Sequence, residues 1–122
     1  MKDKIKILAI GDIVGRPGRQ AVKALLPKIK KEEAIDFSIG NAENAAGGSG
    51  ITREVCDELL GYGLDVLTSG DHIWRKKEVL DIINIEKRLL RPLNFPDGAP
   101  GSGSWIYQLK DGTSICVINI IG

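Results

Sequence analysis

Apolar positions along the chain switch between two periods, and the switches mark the elements. Ile5-Lys6-Ile7-Leu8-Ala9-Ile10 is a β-branched run that stops at Gly11-Asp12, as a buried strand ending in a loop does. From Gly18 or Arg19 onward the spacing changes. Val22, Leu25, Leu26 and Ile29 fall at i, i+3, i+4 and i+7, one buried face of a helix, with Lys23, Lys28, Lys30 and Lys31 on the other side and in the last turn, where cations suit the dipole. Pro27 conflicts with that helix at a cost of about 3 kcal/mol, so a kink is expected. Ile35 to Ile39 is a second strand. Thr52 is a candidate N-cap for a short helix whose face is Val55, Cys56, Leu59 and Leu60, ended by Gly61 and Gly63. Leu64 to Thr68 is a third strand, and Lys76 to Ile85 predicts a third helix that buries Val79, Leu80 and Ile83. Leu89 to Leu93 allows a short strand before a Pro- and Gly-rich loop over 94–103.

The last segment predicts a hairpin. Trp105 to Leu109 alternates, Asp111-Gly112 is a turn signal, and Ser114 to Ile121 returns. Ile115-Cys116-Val117-Ile118-Asn119-Ile120-Ile121 is apolar on both faces, which predicts a strand covered on both sides. The chain stops one residue later at Gly122. Residues 1–122 are therefore expected to be the N-terminal part of a longer domain, because a doubly covered strand normally has a further layer behind it. The fold class expected is α/β: a mainly parallel βαβαβ sheet flanked by helices, plus a C-terminal β-hairpin.

Composition narrows the function classes. The 122 residues are 43% hydrophobic and 27% charged, with a net charge of +1, an ordinary globular composition that gives no bulk attraction for a polyanion. Aromatic content of 5% argues against a base-stacking platform. Cys56 and Cys116 lie far apart in apolar patterns and read as buried reduced thiols. Trp74 and Trp105 read as packing residues. No signal-peptide core and no long apolar segment occurs, so the expected location is the cytoplasm, with no membrane partner.

Chemistry concentrates at the strand-to-loop junctions. The first carries Asp12, the second Glu43 and Asn44, and the third Asp71 beside His72, the only histidine. In a parallel βαβαβ sheet these junctions share one edge, where ligands bind. Carboxylates, an amide oxygen and an imidazole suit Mn²⁺, Fe²⁺, Mg²⁺ or Zn²⁺. Two such ions would support phosphoryl chemistry, and an imidazole just outside them can protonate a leaving oxygen. Asp12 and Asp71 have helix-capping alternatives, Asn44 a turn-capping one. Arg16 and Arg19 are candidates to steer a phosphate, or parts of a solvated loop. Two octahedral ions need more donors than Asp12, Glu43, Asn44 and Asp71 offer. Residues after Gly122 complete the site, or another subunit does, or metal occupancy is partial and weak. The glycines of Gly11-Asp12-Ile13-Val14-Gly15-Arg16-Pro17-Gly18 do not fit a dinucleotide fingerprint.

The segments Ile10 to Arg19, Asn41 to Gly48, Gly70 to Trp74, Arg91 to Pro96 and Val117 to Ile120 stand in the order and register of the YmdB-like metallophosphoesterases, a branch of the calcineurin-like phosphoesterase superfamily, which the chain resembles over about the N-terminal half of a family member. The resemblance implies the N-terminal half of a calcineurin-like sandwich and a dinuclear phosphodiesterase acting on 2′,3′- or 3′,5′-cyclic nucleotides. It places the family's aspartate ligand on Asp12, the bridging glutamate on Glu43, the neighbouring asparagine on Asn44 and the assisting histidine on His72. The chain departs from the pattern in three ways. Gly70-Asp71-His72 has aspartate where the family usually has asparagine, which adds a negative charge to the ligand set. Ala42 replaces a glycine in Asn41-Ala42-Glu43-Asn44. The later Gly-x-His-x-His ligands are absent. The isolated chain is accordingly expected to be inactive or weakly active. The alternative is an inactive fold that assembles, with a partner or with itself, through an uncovered last strand.

Overall fold

The structure, a computed structural model, describes residues 2–122. Three parallel strands form one sheet in the order β1-β2-β3: β1 Ile7–Asp12, β2 Phe37–Asn41 and β3 Val66–Thr68. Helix α1, Gly15–Glu32, connects the first two, and α2, Arg53–Gly61, the second pair. A separate antiparallel hairpin follows, β4 Ser104–Gln108 with β5 Ser114–Ile118. The expected α/β class with a parallel βαβαβ unit and a terminal hairpin is what the chain adopts.

The two faces of the sheet bury different sets of side chains. Val22, Leu26, Cys56, Leu59, Leu64 and Ile73 belong to the larger cluster, with Leu8 and Ile10 packed against it. Phe37, Val66, Leu90 and Val117 form the smaller cluster, flanked by Ile39 of β2 and by Tyr107 and Ile115 of the hairpin. Alternate residues of one strand thus serve opposite layers, as the period of two requires. The register places Asp12 opposite Asn41 and Asn41 opposite Thr68. All three strands therefore end at one level, and their outgoing loops share one edge of the sheet. A register shift between Ile10 and Asp12 marks a local irregularity of the kind that re-aims the next side chain.

Local chemistry explains the helices. Thr52 caps α2, its hydroxyl accepting from the Val55 amide at 3.3 Å, which satisfies an orphan donor of the first turn. Helix α1 starts at Gly15, earlier than the expected Gly18 or Arg19, because Pro17 sits in the first turn, where no backbone N–H is needed. Pro27 lies inside the helix, which continues to Glu32 with Val22 and Leu26 buried.

Several expectations are corrected. Leu25 is 52% exposed: β1 is the edge of the sheet, and among the described residues no strand lies beyond it to cover the outer flank of α1. The third helix is not an α-helix. The stretch 76–85 holds one 3₁₀ turn, Lys77–Asp81, and a second, Asp71–Trp74, precedes it. Three residues per turn align Val79 with Ile82, both buried, and leave Leu80 outside. The segment 89–93 contributes one parallel bridge, Leu89 to Leu67, with the Leu67 and Leu90 amides donating across it to Arg88 and Leu67 carbonyls. Strand β5 is covered on one face only. Val117 is buried, whereas Ile118 is 56% and Ile120 67% exposed. Both cysteines are free, but only Cys56 is buried and Cys116 is exposed. Trp74 packs on Phe95, while Trp105 is partly exposed with the Lys87 ammonium 5.0 Å from its ring centre. No helix among the described residues is long and apolar enough to cross a membrane.

Candidate metal centre

The loop after β2 is a built structure. Asn41 makes an Asx turn, its Oδ1 accepting from the Glu43 amide at 3.3 Å while its Nδ2 reaches Glu43 Oε1 at 3.4 Å. Ala42 and Ala45 are fully buried on either side of Glu43 and Asn44. The Gly50 amide donates to the Glu43 carbonyl at 2.5 Å, and the Ala46 amide to the Gly50 carbonyl at 2.9 Å. The buried alanines act as anchors, so the two polar side chains between them are held at the sheet edge. The two backbone hydrogen bonds with Gly50 close the loop on itself.

The third junction meets Glu43 directly. Glu43 Oε2 accepts from the His72 backbone amide at 3.3 Å and lies 3.9 Å from His72 Nδ1. Glu43, Asp71 and His72 each offer one ligand-capable atom, and the three atoms lie within 4.8 Å of one another. Gly70 is what allows this approach: a Cβ there would stand 2.6 Å from Glu43 Oε1 and 2.7 Å from Oε2, far inside contact distance. Asp71 is exposed on the first residue of the 3₁₀ turn, and His72 is half-buried behind it.

Asn44 joins the first junction to the third. Its Nδ2 lies 3.0 Å from both Asp12 carboxylate oxygens, and its Oδ1 lies 2.5 Å from His72 Nδ1. A carboxylate only accepts hydrogen bonds, so the amide must turn its NH₂ towards Asp12. Its oxygen then faces the ring, which therefore carries its proton on Nδ1. Nε2 is the nitrogen left to act outward. Of the residues expected at the site, Glu43, Asn44, Asp71 and His72 are thus brought together, and Asp12 is linked to them through Asn44. Three carboxylates and one amide oxygen, with an imidazole beside them, fit a hard or borderline divalent ion.

The two arginines part company. Arg16 is exposed in the first turn of α1. Arg19 donates from Nε to Glu58 at 2.8 Å and from a terminal nitrogen to the Ala45 carbonyl at 2.7 Å. It braces α1 against α2 and against the Glu43–Asn44 loop, and its guanidinium is engaged there. Two further residues, Asn41 and Gly70, position the site. Asn41 orients Glu43, a link signalled by the spacing of two that an Asx turn needs. Gly70 makes room for the Glu43 carboxylate, and no sequence signal separates that from a turn glycine.

Comparison with known proteins bears on the sequence and the fold of the chain. Residues 8–122 match the YmdB-like protein family. A 2′,3′-cyclic-nucleotide 2′-phosphodiesterase of Bacillus subtilis is 45% identical over 118 residues, covering 97% of this chain and 44% of that protein. A phosphatase structure from Mycoplasma pneumoniae superimposes with a TM-score of 0.89 at 32% identity, over 100% of this chain and 44% of that one. The crystal structure of a hypothetical protein from Thermus thermophilus superimposes with a TM-score of 0.87 at 38% identity, over 95% of this chain and 44% of its own. The chain thus spans less than half the length of these relatives. The motif order, the α/β framework and the match across almost the whole sequence agree: the chain belongs to the YmdB-like protein family.

Proposed function

We propose that the chain carries one wall of a dinuclear metallophosphodiesterase site that hydrolyses 2′,3′-cyclic nucleotides. The observation that carries this reading is the Glu43–Asp71–His72 cluster, whose ligand-capable atoms lie within 4.8 Å of one another at the shared strand edge. The name of the Bacillus subtilis relative supports the substrate class. Asp12, Glu43, Asn44 and Asp71 would hold the ions, with Glu43 offering an oxygen to each of the two. Mn²⁺, Fe²⁺, Mg²⁺ or Zn²⁺ bound there supplies positive charge for the phosphoryl oxygens and for the attacking water.

The residues of this chain do the rest. Water adds to phosphorus and gives up one proton to solvent, the bond from phosphorus to the 2′ oxygen breaks, and that oxygen takes a proton to become a hydroxyl, leaving a 3′-phosphate. His72 is placed to give that proton from Nε2, since Asn44 occupies Nδ1. Glu43, 3.9 Å from the ring, supplies the counter-charge while His72 is protonated. Arg16, on the first turn of α1, remains available to meet a phosphate. Arg19 is the weaker candidate, since it would have to leave Glu58 to do so.

The donors on this chain are fewer than two octahedral ions require, so turnover by residues 1–122 alone is expected to be weak or absent. The test is Mn²⁺-dependent hydrolysis of a 2′,3′-cyclic nucleotide by this chain fused to the part of the Bacillus subtilis relative that it does not cover. Glu43→Gln should abolish the activity, and full activity in that variant would remove Glu43 from the site. A second reading, an assembly partner without turnover, is favoured by the exposed outer face of the hairpin, Ile106, Ile118 and Ile120. It predicts association through that face in sedimentation together with no hydrolysis by the fusion, and the missing hydrolysis is what separates it from the first reading.

A further inference from the structure

We infer that Asn119 is a positioning residue that sets the loop carrying Asp71 and His72 from the opposite layer of the fold. This rests on the reading of Glu43, Asp71 and His72 as a metal-side cluster. Asn119 is the one amide in the otherwise apolar run 115–121, and it is only 8% exposed. A buried polar side chain in such a run needs a partner to offset its desolvation. Its Nδ2 donates to the Ser69 carbonyl at 2.8 Å and approaches the Leu90 carbonyl at 3.4 Å. Ser69, itself buried, donates from Oγ to the same Leu90 carbonyl at 2.7 Å.

The anchor is itself fixed. The Asn119 amide donates to the Gly103 carbonyl at 2.8 Å, and its carbonyl accepts from Leu93 at 2.7 Å. Gly103 permits this because its backbone runs against Leu93; a Cβ on it would lie 2.2 Å from the Leu93 Cα. The Ser69 carbonyl belongs to the peptide that leads into Gly70. Gly70 is in turn the residue whose bare Cα faces the Glu43 carboxylate. Holding the Ser69 carbonyl therefore fixes the plane of the Ser69–Gly70 peptide, and with it where Asp71 and His72 start. Asn119 touches neither cluster nor substrate, and acts through that one peptide.

His72 is the only histidine, so its Hε1 proton gives a single NMR resonance that reports the placement of the ring without any metal present. Asn119→Ala, and Asn119→Ser as the milder change, should shift and broaden that resonance. They should also weaken Mn²⁺ binding by calorimetry ~10-fold, the low end of the effect of removing a group that supports metal ligands. Asn94→Ala is the control. Asn94 bonds both the amide and the carbonyl of Ile121, so it ties down the same end of the chain without touching Ser69. Its variant should lower Tm yet leave the His72 resonance and Mn²⁺ affinity as in the parent. If Asn119→Ala loses Tm while the His72 resonance stays put, or if Asn94→Ala moves that resonance equally, the positioning role is contradicted. A parent chain that binds no Mn²⁺ would contradict the proposed function, and the metal-free resonance would still decide the role of Asn119.

Discussion

At Gly70 a missing side chain carries as much of the site as the charged ones do. The Glu43 carboxylate occupies the volume a Cβ would fill, so Gly70→Ala must displace either the carboxylate or the loop. Overpacking of this kind costs about 1–3 kcal/mol. Calorimetry should show Mn²⁺ affinity lost along with that stability, because the clashing atoms are ligand oxygens. An unchanged affinity would place the metal-binding oxygens elsewhere. His72→Ala should separate the other way. With Nδ1 bonded to Asn44 and Nε2 as the proton donor, removing the ring should leave Mn²⁺ bound and slow hydrolysis in the fusion ~10²–10⁴-fold. Loss of metal instead would make the imidazole a ligand. Outside the site, Cys56 illustrates the opposite environment. Burial, with Glu86 and Asp57 nearby, pushes its thiol up to about 12. Cys56 should therefore resist thiol-specific alkylation in the folded chain, while exposed Cys116 reacts.

At the scale of elements, α2 is the helix whose start is set by one side chain. Thr52→Ala removes the acceptor for the Val55 amide and should cost about 1 kcal/mol in urea unfolding. The turn 86–88 contributes a pH-dependent increment. Hydrogen bonds from the Arg88 guanidinium hold the Glu86 carboxyl below its ordinary 4.5. A carboxyl depressed in the folded state stabilises above its unfolded pKa and loses that stabilisation as pH falls through the folded value. Glu86→Gln should therefore flatten the fall in stability with acid below about pH 4.5, and leave neutral pH less stable than in the parent.

These same elements show what the sequence made legible. The strand-to-loop junctions could be read because apolar β-branched runs stop at glycines, and that was enough to bring Asp12, Glu43, Asn44, Asp71 and His72 to one edge. The 3₁₀ geometry of 71–81 could not be read, since Val79, Ile82 and Ile83 satisfy a helical period and a 3₁₀ turn equally well. The exposure of Leu25 and Ile118 could not be read either. Their apolar character states that they seek cover, and only the edge position of β1 and the single covered face of the hairpin show where cover ends. Arg19 was legible as a cation near the site, but its pairing with Glu58 spans 39 residues and leaves no local pattern.

For the whole molecule, two layers carry apolar surface outward. Ile7 on β1 is 48% exposed, and Ile106, Ile118 and Ile120 are exposed on the hairpin. A strand edge and a sheet face with this character favour association, so sedimentation should show concentration-dependent self-association of the chain, reduced by Ile118→Lys. The relatives are more than twice as long as the stretch matched here. The proposed site is one wall of a larger cleft, and its own contribution is best measured as binding rather than as turnover. The most direct test is a calorimetric titration of the chain with Mn²⁺, run in parallel on Glu43→Gln. Saturable binding by the parent, weakened at least ~10-fold in the variant, is the result expected. Equal binding by both proteins, or none by the parent, would contradict the assignment of the Glu43–Asp71–His72 cluster as a metal centre.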